Sequence, residues 1–196
     1  MKSQDAVERA LRLVQPQPTS EGEKQRWRTT LNVLVNDARI EFADQIHASG
    51  SRELRALLRK TFPVVASNAQ GYAPLAALIA DPEPLLVKHF KTSEIYVSGN
   101  QRRVTVVPDE SAVRLDRTPG FPFATLVNNE LLVFDGGAPF VGDITIRGPF
   151  VPTLDHIVGQ LEEPYVVTLH SLASKQLPTP TRTQAKDLKT VAAESK

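Results

Sequence analysis

Apolar residues recur at three- and four-residue steps from Val7 to Phe90, then give way to β-branched runs that alternate with polar positions. Val7, Ala10, Leu11 and Val14 share one face of a short helix over 3–14, which Gln15-Pro16-Gln17-Pro18 breaks as a stiff linker. Ser20 and Glu23 have the capping-box spacing, in which hydroxyl and carboxylate satisfy backbone N–H groups reciprocally. Behind them Trp27, Leu31, Leu34, Ala38 and Phe42 predict a helix over about 21–48, stopped by Gly50. Ser51 caps the next helix, with Leu54, Leu57, Leu58 and Phe62 inward and Pro63 as its end. After a loop over 64–71, a short helix carries Leu75, Leu78 and Ile79. Asp81-Pro82 then restarts the chain for a turn holding Leu85, Leu86, Val87 and Phe90.

The clearest turn is Gly99-Asn100, set between the β-branched runs 94–98 and 101–107, where glycine supplies the positive φ of a two-residue hairpin loop. A second hairpin is predicted over 123–134 around Asn128-Asn129, because Asn tolerates the left-handed conformation. Its second strand is almost continuously apolar, so both faces should be covered. Gly136-Gly137 and Pro139 break that strand, and 143–147 makes a third. Pro152 begins a short helix with Leu154, Ile157, Val158 and Leu161, and Tyr165 to Leu169 read as a last strand. From 172 the chain is a polar tail with Pro178 and Pro180.

These elements predict an α+β protein: a helical N-terminal half ending in a hairpin, a small antiparallel α+β module, and a polar tail. The expected divisions are a terminal helix and linker (1–18), a helical domain with its hairpin (19–107), the small module (108–171) and the tail (172–196). The formal net charge of the 196 residues is +1, but charge is distributed unevenly. Residues 51–107 hold 8 Lys and Arg against 4 Asp and Glu, whereas 108–171 hold 3 against 9. The chain has no cysteine, which removes disulfides, thiolate metal sites and cysteine nucleophiles and suits a reducing compartment. Charges at Lys2, Asp5, Glu8, Arg9 and Arg12 argue against a secretory signal, and no apolar run reaches the roughly 20 residues of a membrane span. The expectation is a soluble, cytoplasmic protein.

Helices that close on a hairpin outline a winged helix. Residues 51–107 resemble the LOTUS (OST-HTH) branch of that class through Arg52-Glu-Leu-Arg-Ala-Leu-Leu-Arg-Lys-Thr-Phe62, Tyr72-Ala-Pro-Leu-Ala-Ala-Leu78 and the closing hairpin. The resemblance covers about 57 residues and implies RNA binding or docking on a partner protein, without catalysis. On that outline Arg102 and Arg103, just past the wing turn, carry most of the phosphate contact. Lys91, Arg52, Arg55, Arg59 and Lys60 complete the nucleic-acid-binding set, and Tyr96 is available to stack on an unpaired base. The segment from Tyr72 to Ala80 lacks side chains that read base edges.

Catalytic patterns do not assemble. His89-Phe-Lys91 matches the start of a His-x-Lys phosphodiesterase motif, but Tyr96 stands where that motif needs Asp, and there is no second copy. His47, His89, His156 and His170 show no ligand spacing, so neither a metal nor a cofactor is expected. Asp155 and His156 lack a serine elbow, and Gly136-Gly137 lacks the Lys-Ser or Lys-Thr of a phosphate cradle. The expected function is a non-enzymatic nucleic-acid-binding or adaptor protein. The alternative is a structural subunit of a larger assembly, such as a virion or multiprotein complex, held by its terminal segments to a protein partner or to further copies of itself.

Overall fold

A computed structural model describes residues 1–62, 65–74, 84–97, 102–107, 120–128 and 130–177. The fold is α+β. It comprises two compact units, one formed by residues 1–42 and 152–196 and the other by residues 43–151.

The first unit is helical. Helix α1, Ser3–Arg12, buries Ala6, Val7, Ala10 and Leu11, the stripe its spacing predicts. Helix α2, Glu21–Ser49, contributes residues 21–42 here and the remainder to the second unit. Its start is the expected capping box: the Glu23 N–H donates to Ser20 Oγ at 3.1 Å, and Glu23 Oε2 accepts from the Ser20 N–H at 3.4 Å. Two short 3-10 turns, Leu154–His156 and Gly159–Leu161, stand where one short helix was expected.

The stretch from Tyr165 to Leu169, expected as a strand, is instead helical. It lies within helix α5, Glu162–Gln176. The paired valines suggest β, but Tyr165, Val166, Leu169 and Ala173 are all buried at helical spacing, and burial of that stripe outweighs a weak propensity. Tyr165 donates its hydroxyl to the Val35 carbonyl at 3.0 Å and meets Phe42 edge to face at 5.8 Å. Trp27 stacks on His170 at 6.1 Å. Because α5 runs to Gln176, the expected polar tail begins later than residue 172.

The second unit is built on one mixed sheet. In chain order the described elements are α3 (Arg52–Leu57), β1 (Arg59–Thr61), β2 (Val65–Ala66), β3 (Tyr72–Pro74) and α4 (Pro84–Lys88). Then follow a 3-10 turn at Phe90–Thr92, β4 (Glu94–Val97), β5 (Arg102–Val106), β6 (Pro122–Val127), β7 (Glu130–Asp135), β8 (Ala138–Pro139) and β9 (Asp143–Pro149). The strands lie in the order β1-β9-β4-β5-β6-β7-β3, with β2 on β9 and β8 on β7. The pairings are antiparallel except β5 with β6.

Both predicted hairpins are paired as expected. Tyr96 faces Arg103 in β4–β5, and Val127 faces Glu130 in β6–β7, where Asn128 takes φ 48°. The buried run Leu131 to Phe134 meets the expectation of a strand covered on both faces. Three expectations change. The helix expected to reach Phe62 ends at Leu57, because Arg59–Thr61 pairs with β9 and backbone ladder bonds replace helical ones. Tyr72–Pro74, expected to open a helix, is a strand on β7. The division expected at 107/108 does not separate units, since β9 pairs with β4 and β6 with β5. β4 therefore has neighbours on both sides, and its hairpin lies within the sheet instead of standing free as a wing. The Gly99-Asn100 turn, the helix with Leu75, Leu78 and Ile79, the Asp81-Pro82 start, and the chain from 178 lie outside the described residues.

Alternation along the strands separates two faces of this sheet. Ile95 and Val97, Val104, and Ile144 and Ile146 are buried on one face, with Leu86 of α4 and Phe90 in the same core. Gly148 permits this closeness. A Cβ there would lie 2.5 Å from Leu86 Cδ1 and 2.9 Å from Ser93 Oγ. Around β4 the other face is polar: Arg59 and Thr61, Thr145 and Arg147, Glu94 and Tyr96, Arg103 and Thr105.

Candidate functional site

The polar face acquires its charge from three separate elements. Ser51 caps α3 by accepting the Leu54 N–H on its Oγ at 3.2 Å, which sets a helix start carrying Arg52 and Arg55 three residues apart, on neighbouring positions of the helix surface. The chain then enters β1, and Thr61 is placed opposite Arg147 of β9, which in turn lies opposite Glu94 of β4. Arg52, Arg55, Ala56, Arg59, Thr92, Glu94 and Arg147 line one hollow of about 460 Å³. Among the described residues, four guanidinium groups thus surround a space whose lining holds one carboxylate.

Arg59 is the anchored member. Its Nη1 donates to Glu94 Oε1 at 3.1 Å and its Nη2 to the Thr92 carbonyl at 2.5 Å, with the side chain only 19% exposed. Arg55 is half-buried, and Arg52 and Arg147 are exposed. Glu53 lies beside the cluster. Its carboxyl is held below the ordinary glutamate value by its own backbone N–H, then by Ser51 and by the charge of Arg52. A second hollow of about 340 Å³ adjoins the first through Arg147 and is otherwise lined by Thr61, Tyr96 and Thr145. Thr145 is buried there, whereas the Tyr96 ring is half-buried with its hydroxyl 3.5 Å from Glu94 Oε2.

The seven basic residues singled out from sequence do not share one surface. Arg52, Arg55 and Arg59 converge on the hollow, and Arg103 lies on the same sheet face as the cross-strand partner of Tyr96. Arg103 is exposed and has no ion pair among the described residues. Arg102 does not share that face. Register places it opposite Val97, and its Nη1 donates to Asp135 Oδ2 at 2.6 Å, so an internal carboxylate neutralises the guanidinium expected to lead the phosphate contact. Lys60 also points to the opposite face, its ammonium 4.9 Å from the Phe62 ring and 5.6 Å from the Phe150 ring. Lys91 lines a different hollow, of about 410 Å³, beside His89, Val106 and Leu126. Arg147 was absent from the predicted set. Alternation in Asp143-Ile-Thr-Ile-Arg147 placed it on a polar face, but only the non-local pairing of β9 between β1 and β4 brings it to α3.

His89 and His47 lie within the second unit, outside the arginine-lined hollow. His89 Nε2 lies 2.8 Å from Asp44 Oδ1, and Lys88 Nζ is 2.6 Å from the other oxygen of the same carboxylate. Burial acts to raise the Asp44 pKa, but the hydrogen bonds from Lys88 and His89 prevail and hold it below the ordinary aspartate value. His47 is buried, with Nε2 3.1 Å from the Leu58 carbonyl and its ring 5.7 Å from that of His89. Among the described residues no group of three His, Cys, Asp or Glu is placed to hold a metal, and no helix is long and apolar enough to cross a membrane.

No protein-family model matches the chain, and no curated protein matches it.

Proposed function

We propose that this chain is a non-enzymatic cytoplasmic protein that binds nucleic acid through phosphate contacts, with the arginine cluster of α3, β1 and β9 as the contact surface. The observation that carries the reading is the convergence of Arg52, Arg55, Arg59 and Arg147 on one hollow that, among the described residues, a single carboxylate lines. Gathered guanidinium groups repel one another, and a polyanion relieves that repulsion while releasing its own counterions. The planar fork of arginine suits phosphate oxygens, and the anchored Arg59 holds the centre of the cluster in place. Arg103, two strands from β9 and hence about 10 Å away, extends the same basic face. Among the described residues the hollow's lining holds no Asn or Gln, the side chains that pair with adenine edges, and contacts to phosphate carry no sequence information.

The test is the salt dependence of binding to fluorescently labelled oligonucleotides. Replacing Arg55 and Arg147 together by Ala should reduce the slope of log K against log salt by about 1.4–1.8, the release expected from two phosphate contacts. Arg102→Ala, whose charge is already paired, should leave the slope unchanged. If the double variant keeps the wild-type slope, the surface is not the contact.

A second reading, a structural subunit of a larger assembly, is favoured by Val33 and Ile40. They lie seven residues apart on α2 and are 72% and 45% exposed. A second copy packing there would bury both, and light scattering across a concentration series would detect it. A monomer at every concentration removes this reading.

A further inference from the structure

Resting on the nucleic-acid reading above, we infer that the strand bound is single, with one unpaired base stacked on Tyr96. The ring's posture comes from register. Glu94 and Tyr96 are two residues apart on β4, a separation of about 6.6 Å along the strand. For the Tyr96 hydroxyl to come within 3.5 Å of Glu94 Oε2, the ring leans along the strand and lies over the sheet instead of standing away from it. Glu94 is itself fixed by Arg59, which is fixed by the Thr92 carbonyl. The tip of the ring therefore rests beside a chain of polar contacts that ends in backbone. That preorganises a flat apolar surface before any ligand arrives.

The surroundings suit a base with its phosphates. Thr61, Thr145 and Arg147 complete the hollow beside the ring, and the two threonines are short enough to leave space over the sheet. Arg103 lies directly across the ladder from Tyr96, and Arg147 lies diagonally across from it, next to Thr145. Cations thus stand on both sides of the aromatic, one on each neighbouring strand. Stacking uses the face of a base, and every base has one, so this contact keeps the sequence tolerance of the phosphate contacts.

A duplex does not fit the same surface. Its bases are stacked on each other and present only edges in the grooves, which a helix or a two-stranded ribbon must enter to reach. Tyr96 lies on β4, an interior strand with β9 and β5 on either side, and a ring lying along the sheet cannot reach into a groove. Only a base out of its helix presents a face to it.

The experiment compares fluorescence anisotropy of labelled oligothymidine and oligouridine with that of a duplex. All are about 20 nucleotides long, beyond the ~4–16-nucleotide sites of single-strand-binding folds. The proteins are the wild type, Tyr96→Ala, Tyr96→Phe and the Arg55/Arg147 double alanine variant, with thermal melts confirming that each is folded. The single strands should bind more tightly than the duplex at equal salt. Tyr96→Ala should weaken single-strand binding by about tenfold, as loss of one base–aromatic stack does, with the salt slope unchanged. Tyr96→Phe, which keeps the ring, should retain most of the affinity. Duplex binding as tight as single-strand binding, or a Tyr96→Ala variant with wild-type affinity, overturns the single-strand inference. The phosphate reading survives either result if the arginine variant still flattens the salt slope. Failure of the wild type to bind any of the oligonucleotides overturns both.

Discussion

Arg59 and Glu94, on strands separated by β9, meet at 3.1 Å across the arginine-lined hollow. The pair neutralises one of four guanidinium groups, leaving Arg52, Arg55 and Arg147 as the charge offered to a ligand. Glu94→Gln keeps the side chain's shape and one acceptor for Arg59 while removing the one carboxylate that lines the hollow among the described residues. Oligonucleotide affinity should therefore rise, and the slope of log K against log salt should steepen by about 0.7–0.9, one further phosphate equivalent. The variant's denaturation midpoint should fall slightly, since an ion pair becomes a hydrogen bond from the charged guanidinium to a neutral amide oxygen, a loss of about 1 kcal/mol. An unchanged slope would mean that Glu94 does not oppose the ligand's charge.

The parts of this fold that were legible from the sequence are those whose signal is local. Trp27, Leu31, Leu34, Ala38 and Phe42 specify α2 by their spacing, and Ser20 with Glu23 specifies where it begins. The β6–β7 hairpin follows from one Asn-Asn pair between apolar runs. The rest depends on partners far along the chain. Arg59 pairs with Pro149, so no pattern near residue 59 could say that the helix stops at Leu57. The same holds for the site. The arginines of α3 stand out by composition, but Arg147 joins them only through ladder pairing, and Arg102 leaves the set because Asp135 lies within reach of it. Tyr165 shows the opposite error, a local β signal overridden by helical burial of its neighbours.

Gly148 tests how tightly the sheet supports that site, since it adjoins Arg147 in β9 while facing the core. A methyl group at this position meets Leu86 Cδ1 at 2.5 Å and Ser93 Oγ at 2.9 Å. Leu86 is fully buried and Ser93 nearly so, so neither can move into solvent to relieve the overlap. Gly148→Ala should destabilise the protein by about 1–3 kcal/mol, the usual range for overpacking a close-packed core. Urea denaturation would register this as a lower midpoint with the m-value unchanged. A midpoint equal to that of the wild type would show that α4 is free to shift away from β9.

His47 gives the protein a stability loss on mild acidification. Its Nε2 lies 3.1 Å from the Leu58 carbonyl, an acceptor only, so the neutral ring carries its proton there, and Nδ1 is buried with no partner among the described residues. Burial pushes the imidazole pKa down to about 4 from its ordinary 6.5; His89, Arg59 and Arg55 oppose a charge there as well, against the opposite pull of the Leu58 carbonyl. Because the folded value is the lower one, the unfolded chain takes up a proton that the native state refuses as pH falls below about 6.5. Stability is complete above that pH, falls through the interval to about 4, and loses at most ~3 kcal/mol from this group. Burial lowers His170 too, in the same direction, so the contribution must be isolated by substitution. His47→Gln retains an N–H donor for the Leu58 carbonyl without a titrating proton. Urea unfolding followed between about pH 6.5 and 4.5, above the range where most carboxylates titrate, should therefore show a shallower decline for the variant than for the wild type. Parallel curves would mean that the ring accepts its proton in place and that the burial of His47 does not govern the acid response.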